Sequence, residues 1–272
     1  MSPEDLAFVS ELARAKTGLL LGPERAYFAE HRLAALARLE GLASTEILVA
    51  RLREAGDQAL TRAAVEALAP PETSFLRDRA AFEQLRDEVL PALAGKRPDG
   101  RVRLWSAGCS TGQEAYGLAM LAEDGAPALA GVEIIATDLS ARALEKAQGG
   151  VYSQFEVQRG LPIRLLLRHF EKVGENWRAS PRLRQRIRWG RLNLMNDVSR
   201  LGRFDVILCR NVLSYFDPEL RRQVLTRLLA ALADDGCLVL GAGEALPLPD
   251  TLEPARGGAG LHRRVATIDR AA

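Results

Sequence analysis

Two stretches of this chain, well separated in sequence, combine polar side chains with the ends of apolar strands. Residues 104–114 read LWSAGCSTGQE, an apolar strand that breaks into a loop of small residues and then opens a helix. Residues 204–216 read FDVILCRNVLSYF, a buried strand followed by Arg210, Asn211 and Tyr215. Open α/β folds bind their ligands at the carboxyl edge of the sheet. The two stretches therefore predict a ligand site at such an edge.

The loop in the first stretch could seat a nucleoside-bearing cofactor. Its small residues, Ala107 and Gly108 among them, let backbone amides approach a ligand, and the next helix directs its positive end to the same place. Gly108 and Gly112 follow a Gly-x-x-x-Gly spacing, which is not the full dinucleotide fingerprint. An ordinary tight strand-to-helix turn explains the loop equally well, so the loop alone does not decide its role.

A carboxylate ends the next apolar strand. Residues 134–140 read IIATDLS and place Asp138 at the strand end. A carboxylate there can accept hydrogen bonds from both ribose hydroxyls of an adenosine. The alternative is that Asp138 caps the following helix, but Ser140 is better placed to do so. We favour the ligand role for Asp138.

Asn193 and Leu194 follow a further strand that contains Ile187 and Trp189. An adenine ring needs an apolar wall and a polar partner for its edge, which these two residues could supply. An asparagine that forms a turn at a strand terminus is an equally good interpretation.

Residues 211–214 read NVLS rather than the Asn/Asp-Pro-Pro-Tyr/Phe of enzymes that methylate nucleobase amines, which weakens the case for a flipped base.

The elements that must position these residues fall into two regions. Helical periodicity alone runs to Leu68 and is ended by the prolines of residues 69–71, which predicts an all-helical N-terminal domain over residues 1–71. Strands then alternate with helices over residues 72–268, which predicts an α/β domain with a parallel sheet. The predicted strands of this sheet are 102–106, 132–137, 204–209 and 237–240, with helices beginning at Thr111, Ser140 and Asp217. Asp78 is predicted to cap a further helix of this region, and Ser44 and Asp57 are plausible N-caps in the N-terminal domain.

Residues 149–190 interrupt this alternation. Short strands at 151–155, 177–179 and 185–189 surround a helix at 161–170, which predicts a small antiparallel β-subdomain inserted into the α/β domain.

The composition excludes several classes of protein. The chain has 272 residues, and 37 basic against 35 acidic side chains give a net charge of +2, which makes no general case for a nucleic-acid partner. The three cysteines and three histidines are scattered, so we expect neither a disulfide framework nor a metal site. Because no signal sequence or bilayer-spanning apolar run is visible, we expect a cytoplasmic protein that does not insert into membranes.

Five motifs occur in one order along the chain. They are TSFLR at 73–77, WSAGCSTG at 105–112, TD at 137–138, NL at 193–194 and RNVLSYF at 210–216. This order closely resembles the CheR family of chemotaxis receptor methyltransferases, over nearly the whole chain. The resemblance implies a Rossmann-like domain that transfers a methyl group from S-adenosylmethionine to glutamate side chains on the cytoplasmic helices of chemoreceptors, leaving S-adenosylhomocysteine.

The resemblance also implies roles for single residues. Arg77 and Tyr215 match the active-site arginine and tyrosine of the family. Arg77 also belongs to the set of residues that we predict to bind the cofactor. This set is Thr73, Arg77, Ala107, Gly108, Gln113, Asp138, Asn193, Leu194, Arg210 and Asn211. No metal is expected, and the partner that the resemblance implies is the cytoplasmic domain of a methyl-accepting chemoreceptor, bound by a monomer of this chain.

Two departures from the family pattern matter. The family usually has Gly-Glu-Glu-Pro-Tyr where residues 112–116 read GQEAY, so Gln113 replaces a carboxylate expected near the methionyl end of the cofactor. An amide can accept a hydrogen bond from the ammonium group but cannot neutralise its charge. Residues 173–176 read VGEN in place of the Gly-Asn-Gly turn of members that bind a receptor tail peptide, which favours a tail-independent enzyme.

Two other interpretations remain open from the residues. A catalytically weak module that binds the cofactor or docks on receptors would explain Gln113, although Arg77 and Tyr215 argue against it. A nicotinamide oxidoreductase would need a fuller glycine loop.

Basic side chains occur along the helices of the N-terminal domain. Such side chains usually lie on solvated helix faces, but the resemblance favours a receptor-docking surface. They are Lys16, Arg25, Arg32, Arg38, Arg51, Arg53 and Arg62.

Overall fold

The computed structural model describes residues 1–54, 56–69, 72–125, 129–244 and 250–265. The chain divides into two compact units. The first comprises Met1–Pro71 and Tyr215–Gln223, and the second comprises Glu72–Ser214 and Val224–Ala272. Within the part of the chain that the structure describes, no helix combines the length and apolarity needed to cross a bilayer.

The elements are numbered in chain order. The α-helices are α1 Pro3–Thr17, α2 Ala26–Leu39, α3 Thr45–Arg53, α4 Gln58–Leu68, α5 Arg79–Gln84, α6 Leu90–Lys96, α7 Gln113–Asp124, α8 Ala141–Gly149, α9 Gln154–Gln158, α10 Ile163–His169, α11 Pro181–Gln185 and α12 Pro218–Ala231. The strands are β1 Val102–Ala107, β2 Val132–Asp138, β3 Val151–Ser153, β4 Phe170–Val173, β5 Asn176–Ala179, β6 Ile187–Arg191, β7 Phe204–Leu208, β8 Leu232–Val239, β9 Leu252–Pro254 and β10 Leu261–Arg264. A π-helical turn, Leu85–Val89, lies between α5 and α6.

The first unit is built on helices α1–α4, whose apolar faces meet in one core. Polar side chains fix where these helices begin, because each accepts a hydrogen bond from an N–H that has no partner inside the helix. Ser2 forms a capping box with Asp5, and Ser44 and Asp57 cap α3 and α4 as the sequence predicts. The core includes the buried side chains Val9, Ala29, Leu33, Leu48, Leu60 and Leu68.

The second unit is built on a seven-stranded sheet in the order β6-β2-β1-β7-β8-β10-β9. The first five strands of this order pair in parallel, and β10 runs antiparallel to both β8 and β9. Strand β1 is the middle one of these five parallel strands, and its side chains Val102, Leu104 and Trp105 are fully buried. Parallel strands joined through helices confirm the α/β class that the alternation of elements predicts.

A small antiparallel sheet, β3-β5-β4, lies in the same unit, as expected from the interruption of the α/β pattern. Three details of the prediction are wrong. Residues 154 and 155 begin helix α9 rather than ending a strand, and Phe170 begins a strand rather than ending a helix. Residues 185–189 do not belong to the small sheet, because β6 pairs in parallel with β2 at the edge of the large one.

An aromatic cluster packs the small sheet within the second unit. Phe75, which precedes α5, contacts Tyr152 and Phe170 with ring centroids 5.0 and 5.6 Å apart, in edge-to-face geometry. Tyr152 also donates its hydroxyl proton to the carbonyl oxygen of Thr111, at 2.7 Å. Burial raises the pKa of Tyr152 well above its usual value, so this phenol stays a neutral donor. The cluster therefore fixes both the segment before α5 and the loop before α7.

Candidate active site

The carboxyl ends of four neighbouring parallel strands form one edge of the large sheet. Ala107 of β1 lies beside Thr137 of β2, and Asp138 lies beside Arg191 of β6. Strand β7 pairs with the other side of β1 and ends just before Arg210. Because these strands are adjacent and parallel, the polar residues that follow them meet at the edge where the sequence predicts the ligand site.

The loop after β1 is closed against the end of β2. The N–H groups of Gly108 and Cys109 both donate to the carbonyl oxygen of Thr137, at 2.8 and 2.9 Å. These two amides therefore bind the end of β2, and a role of Gly108 at the cofactor stays a prediction. Gly108 has a φ of +77°, and a Cβ there would lie 2.7 Å from Val212 Cγ2, so the loop requires glycine at this position.

Asp138 is held firmly at the end of β2. Its Oδ2 accepts the N–H of Ser110 at 2.8 Å, and its Oδ1 accepts the N–H of Ser140 at 2.9 Å. Ser140 caps α8 by accepting the N–H of Ala143, which leaves the cap role to Ser140 as the sequence predicts. The carboxylate is thus oriented by one backbone donor from the loop after β1 and one from the segment after β2. This suits a group that must present fixed acceptor positions to ligand hydroxyls.

The segment after β6 folds back onto the end of β2. The N–H of Leu192 donates to the carbonyl oxygen of Asp138 at 2.9 Å, which brings Asn193 and Leu194 to the same edge. Asn193 Oδ1 accepts the N–H of Met195 at 3.0 Å, so the interpretation of this asparagine as a turn residue is confirmed. Leu194 is buried. A role of either residue at an adenine ring stays a prediction.

Arg210, directly beyond β7, is the centre of a buried charge network. Its side chain is only 2% exposed, and its guanidinium donates to Glu114 at 3.1 Å and to Asp78 at 2.7 Å. It also donates to the carbonyl oxygen of Arg77 at 2.5 Å. Glu114 in turn accepts the hydroxyl proton of Ser106 at 2.7 Å. The arginine thus joins α7, the end of β7 and the segment before α5.

We call residues 73–78 the tether, because this segment carries Arg77. It is fixed at Phe75 and at Asp78. Phe75 is fully buried and its N–H donates to the carbonyl oxygen of Arg159 at 3.2 Å, while Asp78 is paired with Arg210. Arg77 between them is half-buried, and Thr73 is half-buried as well. The backbone of Arg77 is therefore anchored at the carboxyl edge of the sheet.

The tether has an unusual backbone. Leu76 and Asp78 have φ values of +48° and +52°, in the left-handed region that costs most residues energy. Asp78 stands at the start of α5, but its side chain makes no capping hydrogen bond, so the prediction that it caps this helix is wrong. Its Oδ2 instead accepts Arg210 and the N–H of Ala242. These bonds offset the cost of the strained backbone and hold Arg77 in one place.

Gln113 and Glu114 begin α7 and face different partners. Gln113 is buried, with 2% of its surface exposed, and its Oε1 accepts the hydroxyl proton of Thr111 at 2.8 Å. The preceding Gly112 has a φ of +94°. A Cβ on Gly112 would lie 2.8 Å from Ala147 Cβ and 3.1 Å from the Tyr152 hydroxyl, so the start of α7 is closely packed.

Tyr215 belongs to the first unit rather than the second. Its carbonyl oxygen accepts the N–H of Leu20 at 2.8 Å, and the guanidinium of Arg25 lies 4.5 Å from its ring centroid. Phe216 next to it forms an isolated antiparallel bridge with Leu19. The role that the resemblance implies for Tyr215 beside Arg77 stays a prediction.

The sequence analysis did not predict the structural roles of three acidic residues in this region. Asp78 was taken for a helix cap, and Glu114 and Glu244 were given no role. Glu114 stands in the first turn of α7, and Glu244 ends the small-residue sequence GAGE at 241–244, just beyond β8. An acid directly beyond a glycine-rich loop or strand end is the signal that could have drawn attention to both.

The cysteines near the edge offer no nucleophile. Cys109 and Cys209 are buried, and burial raises the pKa of both thiols well above the usual value. The negative charges of Asp138 and Glu114 raise the pKa of Cys109 further. Both thiols therefore stay neutral near pH 7. Among the described residues, no group of three or more His, Cys, Asp or Glu side chains could hold a metal ion.

Comparison with known proteins identifies the family. The family model described as CheR methyltransferase, SAM binding domain, matches residues 71–258. The chain belongs to the CheR methyltransferase family. Its cofactor is S-adenosylmethionine, and the protein is a methyltransferase that uses this cofactor, which removes the oxidoreductase interpretation.

Three curated relatives cover most of the CheR chain. Chemotaxis protein methyltransferase 1 of Pseudomonas aeruginosa is 39% identical over 86% of this chain and 87% of its own length. Chemotaxis protein methyltransferase Cher2 of Pseudomonas putida is 36% identical over the same shares. Chemotaxis protein methyltransferase of Vibrio parahaemolyticus is 34% identical over 96% of both chains.

The residues at the sheet edge fit this cofactor. A nucleoside needs fixed acceptors for its ribose hydroxyls, and the oriented carboxylate of Asp138 supplies acceptor positions of that kind. The loop glycines Gly108 and Gly112 pack against side chains of the protein itself, which fixes the course of the loop beside this carboxylate. We therefore propose that Asp138 holds the ribose and that Asn193 and Leu194 lie at the adenine.

Replacing Gln113 by glutamate is expected to tighten the binding of the cofactor. A carboxylate can neutralise the ammonium of the methionyl group, whereas the amide can only accept its hydrogen bond. The gain in binding free energy must exceed the cost of burying a carboxylate at a position that is 2% exposed. Calorimetric titration of Gln113→Glu with S-adenosylhomocysteine measures the balance, with Gln158→Glu, an exposed position on α9, as the control. Unchanged or weaker binding of Gln113→Glu would contradict the proposed position of Gln113.

Proposed function

We propose that this CheR protein methylates glutamate side chains on the cytoplasmic helices of methyl-accepting chemoreceptors, forming glutamate methyl esters in the cytoplasm. The names of the curated relatives, chemotaxis protein methyltransferases, support a substrate of this system. The observation that carries the proposal is the anchored tether. Arg210 holds the backbone of Arg77 at the carboxyl edge of the sheet, where a cationic side chain can receive an acidic acceptor.

The proposed reaction needs positioning rather than acid–base chemistry. A glutamate side chain, with an ordinary pKa of about 4.3, is already an anion at neutral pH, so no general base is required. The bound cofactor supplies a methyl group on a sulfonium, a good leaving group. A bond forms between a carboxylate oxygen and the methyl carbon while the carbon–sulfur bond breaks and its electron pair returns to sulfur. The enzyme must hold the oxygen in line with that bond and exclude water.

Arg77 is the residue that we assign to the acceptor carboxylate. A guanidinium presents parallel N–H donors that match the two oxygens of a carboxylate, and the half-buried position of Arg77 strengthens this attraction. For Tyr215 we keep the active-site role that the resemblance implies, as a hydrogen-bond donor. Very tight binding of the anion would lower its reactivity, so these contacts serve mainly to orient it.

A transfer assay with labelled cofactor tests the proposal directly. The protein is incubated with methyl-labelled S-adenosylmethionine and the cytoplasmic domain of a chemoreceptor, and the label that is released by mild base is counted. We expect base-labile label on the receptor domain, and a matched domain whose methylated glutamates are changed to alanine should take up none. Cofactor binding without any transfer to several receptor domains would instead favour the catalytically weak docking module.

We further propose that basic side chains of the first unit dock the acidic receptor helices. Several of these side chains already have partners within the unit. Arg53 is bound to Asp5 at 3.1 Å and lies 4.5 Å from the ring centroid of Phe8, and Arg51 lies 3.9 Å from Asp57. Reversing the charge of Arg53 would therefore disturb the packing of the unit as well as any docking. Arg38 and Arg62 are exposed and are better probes of the surface.

The variants Arg38→Glu and Arg62→Glu are expected to weaken binding of the receptor domain and to reduce the salt dependence of that binding. Each removes a favourable long-range interaction with an acidic partner and adds a repulsive one. Receptor affinity at low and high salt, with the affinity for S-adenosylhomocysteine as the internal control, provides the measurement. Arg200→Glu, an exposed position in the second unit, is the matched control for net charge. Equal loss in that control would show that the first unit is not the docking surface.

The small sheet offers a simple turn where other members bind a tail peptide. Val173 of β4 pairs with Asn176 of β5, so Gly174 and Glu175 form a two-residue hairpin with Gly174 at a φ of +59°. We propose that this enzyme recognises its receptors without a tail peptide. Deleting the last residues of the receptor domain is then expected to leave the rate of methylation unchanged.

A further inference from the structure

A short turn beyond β8 contacts two parts of the active-site edge that are distant in sequence. The turn comprises residues 241–244, GAGE, and we call it the GAGE turn. Its Ala242 N–H donates to Asp78 of the tether at 3.3 Å. Its Glu244 faces the loop of residues 211–214 that follows β7. The turn therefore contacts both the segment that carries Arg77 and the loop that begins with Asn211.

The Glu244 carboxylate accepts three backbone N–H groups. Its Oε2 accepts from Asn211 at 2.7 Å and from Gly241 at 2.9 Å, and its Oε1 accepts from Ser214 at 3.3 Å. Hydrogen bonds to a charged acceptor are stronger than neutral ones, and several that converge on one carboxylate fix the backbone between them. Glu244 thus spans the loop from its first residue to its last.

The geometry around Glu244 leaves little freedom. Asn211 has a φ of +58°, a left-handed conformation that asparagine tolerates better than most residues. A Cβ on Gly241 would lie 2.6 Å from Asn211 Nδ2 and 3.0 Å from Glu244 Oε2, so a side chain there would have to displace one of these groups. A left-handed asparagine, a closely packed glycine and a half-buried carboxylate therefore meet at one point beside the end of β7.

We propose that Glu244 is a positioning residue of the cofactor site, which acts by fixing the backbone of the loop 211–214. This inference rests on the proposed assignment of Asn211 to the cofactor. With Glu244 in place, Asn211 is held in its left-handed conformation at the carboxyl edge. Ala242 of the same turn holds Asp78, so the GAGE turn sets the loop and the tether together. Glu244 itself touches neither the cofactor nor the acceptor in this proposal.

The test is the variant Glu244→Gln, which keeps the shape of the side chain. An amide has one acceptor oxygen, and its NH₂ group would face an N–H donor of the loop. We expect the affinity for S-adenosylhomocysteine to fall about tenfold, which is the size of effect expected from losing a charge-assisted hydrogen bond. Amide hydrogen exchange of Asn211 and Ser214 in the full-length protein without cofactor should become faster. Glu253→Gln, an exposed glutamate of β9, should change neither quantity.

Each outcome decides a separate point. If Glu244→Gln lowers the unfolding temperature but leaves S-adenosylhomocysteine affinity unchanged, Glu244 is only structural and the inference is wrong. If Glu244→Gln does not fold, Glu244→Asp keeps the charge with a shorter reach, and normal affinity in that variant also overturns the inference. The variant Asn211→Ala separates this inference from the site assignment, because unchanged affinity there shows that Asn211 does not bind the cofactor. None of these measurements depends on which protein is methylated.

Discussion

The variant Arg77→Ala is expected to lose about a hundredfold to a thousandfold in the rate of methyl transfer, which is the loss seen when one preorganised electrostatic contact is removed from an active site. The guanidinium is the group that we assign to the acceptor carboxylate. Its loss removes both the orientation of the oxygen and the charge that attracts the anion. The tether itself should keep its shape, because Arg210 binds the carbonyl oxygen of residue 77 rather than its side chain.

Two measurements give the expected result for Arg77→Ala. Methyl incorporation into the receptor domain should fall, while the calorimetric affinity for S-adenosylhomocysteine should stay close to that of the wild type. Arg79→Ala is the matched control, because Arg79 lies two residues along, is 67% exposed and pairs only with its helix neighbour Glu83 among the contacts seen here. Turnover of Arg77→Ala near the wild-type rate would exclude the proposed role of Arg77.

The largest effect on stability is expected from Arg210→Met. This change removes the cation with which both Glu114 and Asp78 are paired. Breaking a buried ion pair by deleting one partner costs about 3–5 kcal/mol in the free energy of unfolding, since an uncompensated buried charge remains. Asp78 would also lose the bond that offsets its left-handed backbone, so the tether should become mobile and turnover should fall as well.

Urea unfolding and a second variant separate the two effects of Arg210. In the triple variant Arg210→Met, Asp78→Asn, Glu114→Gln no buried charge is left unpaired, so much of the lost stability should return. Turnover should stay low, because nothing then binds the carbonyl oxygen of Arg77. Arg203→Met is the control, since Arg203 and its partner Asp234 are 54% and 82% exposed and such surface pairs contribute about 1 kcal/mol or less. If Arg210→Met loses no more unfolding free energy than that control, the network does not stabilise the protein as we predict.

The strand ends could be predicted from the sequence, whereas the roles of the polar groups beyond them could be predicted only in part. Asp138 and Asn193 follow apolar strands, and parallel strands bring such positions to one edge. Arg210 was expected there too, as a cofactor contact. Its donors are directed to Asp78 and Glu114, which lie 132 and 96 residues away in the chain. No local pattern indicates that pairing, because it depends on how the tether crosses the sheet edge.

The prediction for residues 185–189 failed for a related reason. A short apolar run reads as a strand, but its pairing partner depends on where the chain has been carried by the elements before it. The aromatic cluster around Phe75 and Tyr152 packs the small sheet, and the chain then returns so that β6 pairs with β2. Placing β6 in the large sheet is what brings Asn193 and Leu194 to Asp138.

The sequence by itself determined the α/β class, the positions of the main strands, the caps of α3, α4 and α8, and the ordered motifs of the CheR family. These features depend on the periodicity and chemistry of neighbouring residues, which are local properties. Only the tertiary structure decided that Arg210 anchors the tether, that Asp78 is not a helix cap and that Glu244 binds the loop after β7. Burial of a charge is stable only when distant segments supply its partners, and a linear sequence does not say which segments these are.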